Sequence, residues 1–434
     1  MKLRNAVIVD GLRSPFSWAG RGMFEATRMD EVAATVVRTL LERNAKVKPT
    51  MIEEVGTGHV AGQPDLGMLS AIPRLAGLPA ETTNFVTNRQ CGSSMETMQR
   101  IAMAIMVGAT ECGIALGVER MQRSITGGRP MIETSRVSEP NKRVMEKTKL
   151  QRDLAWDHDT CFSVPIPDAI LDSPPLQPMP QTAQNVVDMY GLTREEMDEF
   201  TVKSHKKLFA AYEAGLYKDE VLPLEVEKPV FDENKQWVPE EKGEMVLFDR
   251  DECIRPNSSM EVMAKLGPIK GLVSFCNNDV RVTAGNSCPT NSGASALLLM
   301  SEELAIKLGL EPLARIIGIG VGGVKGQIMG LGPIPATLRA LKHAEITADQ
   351  LDRVEFNEAF AAQVIPSIKE LGISADIVNV NGGTLGIGHP LGATGARLVM
   401  TVAKELRRSG KRYGLATQCI GAGQGISTII EAMH

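Results

Sequence analysis

The 434-residue sequence is poor in aromatic side chains, at 4%, and holds only six His and seven Cys. With so few large rings, the core has to be packed by Ala, Val, Ile, Leu and the 22 Met. Basic residues are not in excess, since 47 Lys and Arg face 52 Asp and Glu for a net charge of -5. That balance gives no footprint for a phosphate backbone and excludes nucleic acid as a partner, while leaving open an anionic small molecule at a local basic patch. No stretch approaches the roughly 18 uninterrupted apolar residues of a membrane span; the run 101–107 stops at Gly108. The amino terminus, MKLRNAVIVDGLRSPF, is broken too early for a signal peptide and predicts a short strand from Ala6 to Val9 that ends at Asp10 and Gly11. The cysteines, at 91, 112, 161, 253, 276, 288 and 419, form no CxxC pair. This spacing argues against a zinc site or a disulfide framework and for a reducing, cytoplasmic setting with no metal.

A chain of this length exceeds what one core usually organises, so two or more core-forming units are expected. Two segments about 300 residues apart look alike: TVVRTLLERNAKVKPTMIEEVGTGHV and TLRALKHAEITADQLDRVEFNEAF. Each reads as helix, break, short acidic turn and strand. Downstream, each continues through an Asn-containing loop and a small-residue helix into a β-like run, CGIALGVE from Cys112 and YGLATQCIG from Tyr413. The halves therefore read as duplicated α/β units. From Ile52 to Cys91 is 39 residues and from Leu351 to His389 is 38, so Cys91 and His389 occupy equivalent places. If the halves pack about a pseudo-two-fold axis, a thiol and an imidazole meet near it.

Between the halves the composition changes, with the charge run KRVMEKTKLQRD and the Pro-rich stretch SVPIPDAILDSPPLQPMP from Ser163. This reads as an inserted, loop-rich subdomain whose charge runs are solvated helix faces or a frame for an anionic ligand. Within it, TAQNVVDMYGLTREEMDEFTVKSHKKLFAAYEAGLY predicts two amphipathic helices, the second opened by a capping box of Thr193 and Glu196. The expected division is 1–121 with 281–303, an insertion at 122–280, and 304–434.

Four stretches carry candidate chemistry. NRQCGSS places Cys91 at or near a helix amino terminus, where unpaired N–H groups favour a thiolate; the other local reading is a small buried hydrophobe. NVNGGTLGIGHPLGATGARLV sets His389 among glycines that permit close approach and positive φ, and a structural histidine is the alternative. Neither a P-loop nor a GxGxxG fingerprint fits that run. GLATQCIGAGQGIST puts Cys419 at a strand end before glycines, offering a proton donor and bare N–H groups; a buried strand-end thiol is the alternative. In VEFNEAFAAQ, Asn357 either orients a water or a carbonyl or serves as an ordinary N-cap.

Together these stretches resemble the thiolase family along essentially the whole chain: NRQCGSS at Cys91, NEAFAAQ at Asn357, NVNGGTLGIGHPLGATGAR at His389 and CIGAGQG at Cys419. The resemblance implies two βαβαβαββ halves in a five-layered αβαβα sandwich, with the insertion forming a loop domain over the coenzyme A site. It implies that Cys91 attacks the keto carbon of a 3-oxoacyl-CoA, that His389 takes the Cys91 proton, and that Cys419 exchanges a proton with the acetyl-CoA α-carbon. Asn357, through a water, and His389 would stabilise the enolate, and the N–H groups of Cys91 and Gly421 would hold the tetrahedral oxyanion. Coenzyme A is then a co-substrate, and no cofactor is required. Arg255 would lie near the adenine and phosphates, with Ser287, Cys288 and Met179 along the substrate. A homodimer or homotetramer is implied, with a β-oxidation partner subunit as a further option.

The sequence departs from the family pattern in places. Pro178 precedes Met179 where a His is frequent, Gly267 replaces Arg in the Lys-Leu-Arg-Pro stretch, and AGNSCPTNSG puts Cys288 at a serine beside the pantetheine. That last ordering is similar to thiolases of degradative trifunctional complexes and favours cleavage of 3-oxoacyl-CoA over condensation of two acetyl-CoA. A ketoacyl synthase or hydroxymethylglutaryl-CoA synthase would lack the GHP loop paired with a terminal CIG. A non-catalytic thiolase-like carrier would lose one of Cys91, His389 or Cys419.

Overall fold

The computed structural model describes residues 3–60, 66–121, 161–276 and 279–434. The charge run at 142–153 lies outside them. The chain order begins β1 (Ala6–Arg13), β2 (Ser17–Trp18), α1 (Met29–Arg43), β3 (Glu54–Gly58), α2 (Leu66–Leu75), β4 (Thr83–Thr87), α3 (Ser93–Met106) and β5 (Cys112–Glu119). The intervening segment contributes α4 (Met179–Tyr190), α5 (Arg194–Glu213) and the hairpin of β6 (Leu224–Glu227) and β7 (Met245–Phe248). Then come β8 (Asn291–Ser301), β9 (Ala314–Gly323), α6 (Pro333–Ala344), β10 (Arg353–Phe356), α7 (Ala361–Glu370), α8 (Leu391–Ser409), β11 (Tyr413–Ile420) and β12 (Gln424–Ala432).

Strand order exposes the duplication. The first half runs β4-β3-β5-β8-β1 and the second β10-β11-β12-β9, with a parallel bridge from Val354 to Val378 standing where β4 stands in the first. Parallel and antiparallel neighbours match throughout: β3 and β10 lie parallel to β5 and β11, and β8 and β12 lie antiparallel to theirs. The two sheets join edge to edge where Val7 and Ile8 of β1 face Arg315 and Ala314 of β9. The duplicated α/β fold expected from the sequence is present.

Hydrophobic patterning explains the layers. All 11 positions of β8, NSGASALLLMS, are buried, so the strand is covered on both faces. Leu298 points into a core with Val32, Val36 and Leu40 of α1, while Leu297 and Leu299 point into another with Met95, Met98 and Ile101 of α3. That middle core also takes Leu398, Val402 and Leu406 of α8, and Ala416 and Ile430 of the second sheet. A third core sets Ile334 and Leu341 of α6 and Val364 of α7 against the outer face of the second sheet. Helix, sheet, paired helices, sheet and helix give five layers.

Two local expectations are refined. β1 does not stop at Asp10: a register shift between Ile8 and Asp10 lets it continue to Arg13. Gly11 is required there by close approach, because a Cβ would meet Leu297 and Met400 at 2.9 Å. The capping box forms as predicted, with Thr193 Oγ1 accepting from Glu196 N at 3.1 Å and Thr193 N donating to Glu196 Oε2 at 2.7 Å.

Glu220 and Asp251, which lie between β5 and β8, are fastened to β1 and α8 by a buried ion cluster. Arg13, with no exposed surface, donates to Glu220 at 2.6 Å and to both oxygens of Asp251 at 2.7 and 2.9 Å. Thr401 of α8 donates to the other Glu220 oxygen at 2.9 Å, and Tyr212 to Asp251 at 2.6 Å. A fully bonded cluster of this kind tolerates burial that a lone charge would not.

The middle layer is tight where α8 crosses α3. A Cβ on Gly395 of α8 would lie 2.4 Å from the Met95 amide nitrogen of α3, so a methyl group there pushes two backbones apart. Gly395→Ala is expected to cost about 1–3 kcal/mol through overpacking, read as a shift in the urea denaturation midpoint. Gly267→Ala, which meets nothing within 4 Å, is the control and leaves the midpoint unchanged.

Candidate active site

Cys91 and His389 occupy corresponding places: each directly precedes the residue that caps a middle-layer helix, Gly92 for α3 and Pro390 for α8. The two helix starts are tied together, with Ala396 N donating to Ser94 Oγ at 2.9 Å. Cys91 leaves β4 through a tight turn in which Gln90 adopts φ 47, a left-handed conformation that costs a non-glycine residue about 1 kcal/mol or more. Gln90 N donates to Asn88 Oδ1 at 3.0 Å and offsets part of that cost. Gln418 of β11 reaches across from the other half, its Nε2 donating to the Cys91 carbonyl at 2.5 Å.

Two N–H groups lie near enough to the Cys91 sulfur to favour its charged form, its own and that of Gly421. Gly421 follows β11 and is itself followed by Ala422 at φ 64. Both N–H donors thus sit beside residues held in the left-handed region. Burial pushes the Cys91 thiol well above its ordinary range, with the neighbouring Cys419 adding to it and the two N–H groups opposing. The expectation that a helix start would favour a thiolate is overturned in balance: desolvation outweighs those dipoles, and the resting group is a thiol.

His389 follows Gly388, whose φ of 109 suits glycine and whose Cβ would collide with the Asn291 side chain at 2.5 Å. Asn291 Oδ1 accepts the His389 N–H at 3.0 Å. The ring tautomer follows from hydrogen-bond polarity. Thr394 Oγ1 spends its proton on the Pro390 carbonyl at 2.9 Å, so its 2.7 Å contact with His389 Nδ1 requires Nδ1 to be the donor. Nε2 is left with its lone pair. Burial, assisted by the charge of Arg397, lowers the His389 pKa to about 3, so the ring is a neutral acceptor at physiological pH.

Asn357 is the first residue beyond β10, and its N–H donates to Thr417 O at 2.9 Å. It is not a cap: Phe360 holds the N-cap position of α7. Its Nδ2 lies 3.4 Å from His389 Nε2. Cys419, the penultimate residue of β11, is buried and pushed up to about 11 by desolvation, which the Gln363 side chain opposes by donating to the sulfur. Gln363 Nε2 also donates to the Asn357 carbonyl at 2.9 Å. Neither Gln363 nor Thr394 stood out in the sequence; one lies inside NEAFAAQ and the other one turn past His389, as ordinary polar residues on helices. Glu358 serves the scaffold by accepting from Ser204, Asn379 and the Leu385 N–H.

The residues expected along the substrate fall into two places. Met179, Cys288, Ile269 and Leu272 are partly exposed and pack against a cluster containing Cys419 and Phe360. Cys288 is close enough to Cys91 and Cys419 for their charges to raise it further, after burial, and its N–H donates to Ala359 O at 2.8 Å. The Ser287 hydroxyl turns inward to Thr283 O at 2.6 Å, which leaves only its lone pairs for a ligand. Pro178 is simply the N-cap of α4, and Gly267 faces open space. Arg255 is exposed, 5.9 Å from the Trp18 ring centroid, and Arg21 covers that ring at 4.1 Å.

The chain is similar to known proteins over nearly its whole length. The family model for the thiolase N-terminal domain matches residues 6–303 and that for the thiolase C-terminal domain matches 310–432. A 3-ketoacyl-CoA thiolase of Aliivibrio fischeri is 36% identical, with 99% of this chain and 100% of that protein covered. A beta-ketoadipyl-CoA thiolase of Acinetobacter baylyi is 37% identical at the same coverage. The crystal structure of the Bacillus anthracis acetyl-CoA acetyltransferase superposes with a TM-score of 0.79 at 33% identity, covering 100% of both chains. The chain belongs to the thiolase family of acyltransferases.

Proposed function

We propose that the protein cleaves 3-oxoacyl-CoA reversibly with coenzyme A, giving acetyl-CoA and a shortened acyl-CoA through a Cys91 acyl-enzyme. The observation that carries the reading is the joining of the two helix starts that Cys91 and His389 precede, through Ala396 N and Ser94 Oγ at 2.9 Å, with the Cys91 and Gly421 N–H groups beside the Cys91 sulfur. Those donors suit the oxyanion that forms when the sulfur adds to a carbonyl.

The steps balance with the groups present. His389 Nε2 takes the Cys91 proton as the sulfur attacks the keto carbon. Collapse of the tetrahedral adduct breaks the bond between C2 and C3 and leaves an acyl-Cys91 thioester. The departing enolate of acetyl-CoA, stabilised by His389 and by Asn357 through a water, is protonated at carbon by Cys419. Incoming coenzyme A gives its thiol proton to Cys419 and takes the acyl group from Cys91, whose sulfur recovers its proton from His389. Every protonation state begins and ends neutral, which fits a site this deeply buried.

The described part of the segment between the halves, from residue 161 onward, would border the coenzyme, with Arg255 beside its adenine and phosphates, and Ser287, Cys288 and Met179 beside the pantetheine and acyl carbons. The partly exposed apolar wall of Met179, Ile269, Leu272 and Cys288 next to Cys419 supports an acyl chain longer than acetyl. Thiolysis rates across acetoacetyl-, medium-chain and long-chain 3-oxoacyl-CoA are expected to extend beyond the shortest. Cleavage of acetoacetyl-CoA alone would favour the alternative, condensation of two acetyl-CoA, and no cleavage of any would overturn the reading.

Two further outcomes are expected. Cys91→Ala abolishes trapping of an acyl-enzyme by mass spectrometry and lowers kcat roughly a thousandfold or more; acylation persisting in that variant places the nucleophile elsewhere. Because burial holds His389 near 3 rather than at its ordinary 6.5, the base stays deprotonated on mild acidification. The acidic limb of kcat/KM is therefore expected below pH 5.5, with circular dichroism verifying folding at each pH; a limb at about 6.5 would show a solvated imidazole.

A further inference from the structure

A carboxamide can present either its N–H groups or its oxygen by a half rotation, and Asn357 has no means of its own to choose. The neighbouring residues choose for it. Asn357 Oδ1 accepts from Thr384 Oγ1 at 2.8 Å. Thr384 Oγ1 in turn accepts from an Arg397 Nη2 hydrogen at 2.7 Å. Arg397 has no exposed surface, and its Nη1 donates to Glu355 Oε2 at 2.8 Å. A guanidinium carries donors only, so the direction of the chain is set at its far end. Arg397 donates to Thr384, the single hydroxyl proton of Thr384 passes to Asn357 Oδ1, and Nδ2 is left to face the lone pair of His389 Nε2, which agrees with that direction.

We infer that Thr384 and Arg397 are positioning residues that lock the Asn357 amide with its N–H groups toward the reacting thioester, an inference that rests on the proposed thiolase reaction. The three components come from separate elements: Asn357 from the end of β10, Thr384 from the short helix Thr384–Ile387, and Arg397 from the second turn of α8. Neither Thr384 nor Arg397 touches the reacting atoms in this scheme. Freed from Thr384, the amide keeps its 3.4 Å contact with the His389 Nε2 lone pair, but once Nε2 has taken a proton that restraint is lost and the amide oxygen can turn toward the place where negative charge develops, repelling the enolate it should stabilise.

Thr384→Val removes the hydroxyl and keeps the branched shape, and Thr384→Ser keeps the hydroxyl. With acetoacetyl-CoA as the probe, Thr384→Val is expected to lower kcat by roughly tenfold to a hundredfold with KM within about threefold, because enolate stabilisation is lost while binding is not. Acetylation of Cys91 by acetyl-CoA should persist in that variant, whereas α-proton exchange of acetyl-CoA in deuterium oxide should slow in step with kcat. Thr384→Ser should recover most of the rate. If Thr384→Val does not fold, Thr384→Ala, which removes the hydroxyl without leaving a branched group to fit, is read in its place. An active wild type whose folded hydroxyl-free variant keeps its kcat, or a Ser variant as impaired as Val, overturns the positioning role. A wild type that cleaves no 3-oxoacyl-CoA overturns the reaction itself, and the inference with it.

Discussion

The contact on which this structure depends is the close approach of α3 and α8 between the two sheets. Gly395 lies against the backbone at Met95, and on the other side of the same layer a Cβ on Gly117 of β5 would sit 2.3 Å from the Gly392 carbonyl. Such spacing is available only to residues without side chains, and it brings the amino termini of two long helices to one point. Cys91 and His389 stand immediately before those termini. The second sheet then supplies two further residues from neighbouring parallel strands, Cys419 of β11 and Asn357 just past β10.

Burial governs the chemistry at that point. The helix-start dipoles and N–H groups that would lower a thiol in open solvent are present, yet desolvation is larger and keeps both cysteines protonated and the histidine neutral. A site in this condition stores no charge before substrate arrives. In the proposed reaction charge appears only in transit, and the fixed donors would meet it there. The polarity of those donors is inherited from groups with no freedom: the Pro390 carbonyl, which can only accept, fixes the His389 tautomer, and the Arg397 guanidinium, which can only donate, fixes the Asn357 amide.

Much of this was legible in the sequence. The matching separations of Ile52 from Cys91 and Leu351 from His389 correspond to matching strand orders in the two halves, because a duplicated α/β unit keeps its loop lengths when it keeps its sheet. The Thr193 cap was readable since it is encoded within four residues. What was not readable depended on contacts across the chain. The extension of β1 past Asp10 needed a partner strand almost 300 residues away. The cap-like look of Asn357 was a local signal overridden by its place at a strand end, and the thiolate expected at Cys91 ignored a burial that only the assembled halves create. Thr384, Thr394 and Gln363 passed as ordinary polar residues because their significance lies in hydrogen-bond direction.

The sharing of the middle core between the halves also bears on how the molecule assembles. Neither half owns that layer: α3 comes from one and α8 from the other, and Arg13, Glu220 and Thr401 are bonded across all three parts of the chain. Loop closure over such separations is slow relative to helix formation. During refolding from denaturant, helical signal should therefore return well before activity, and the lag between them is the docking time of the two halves.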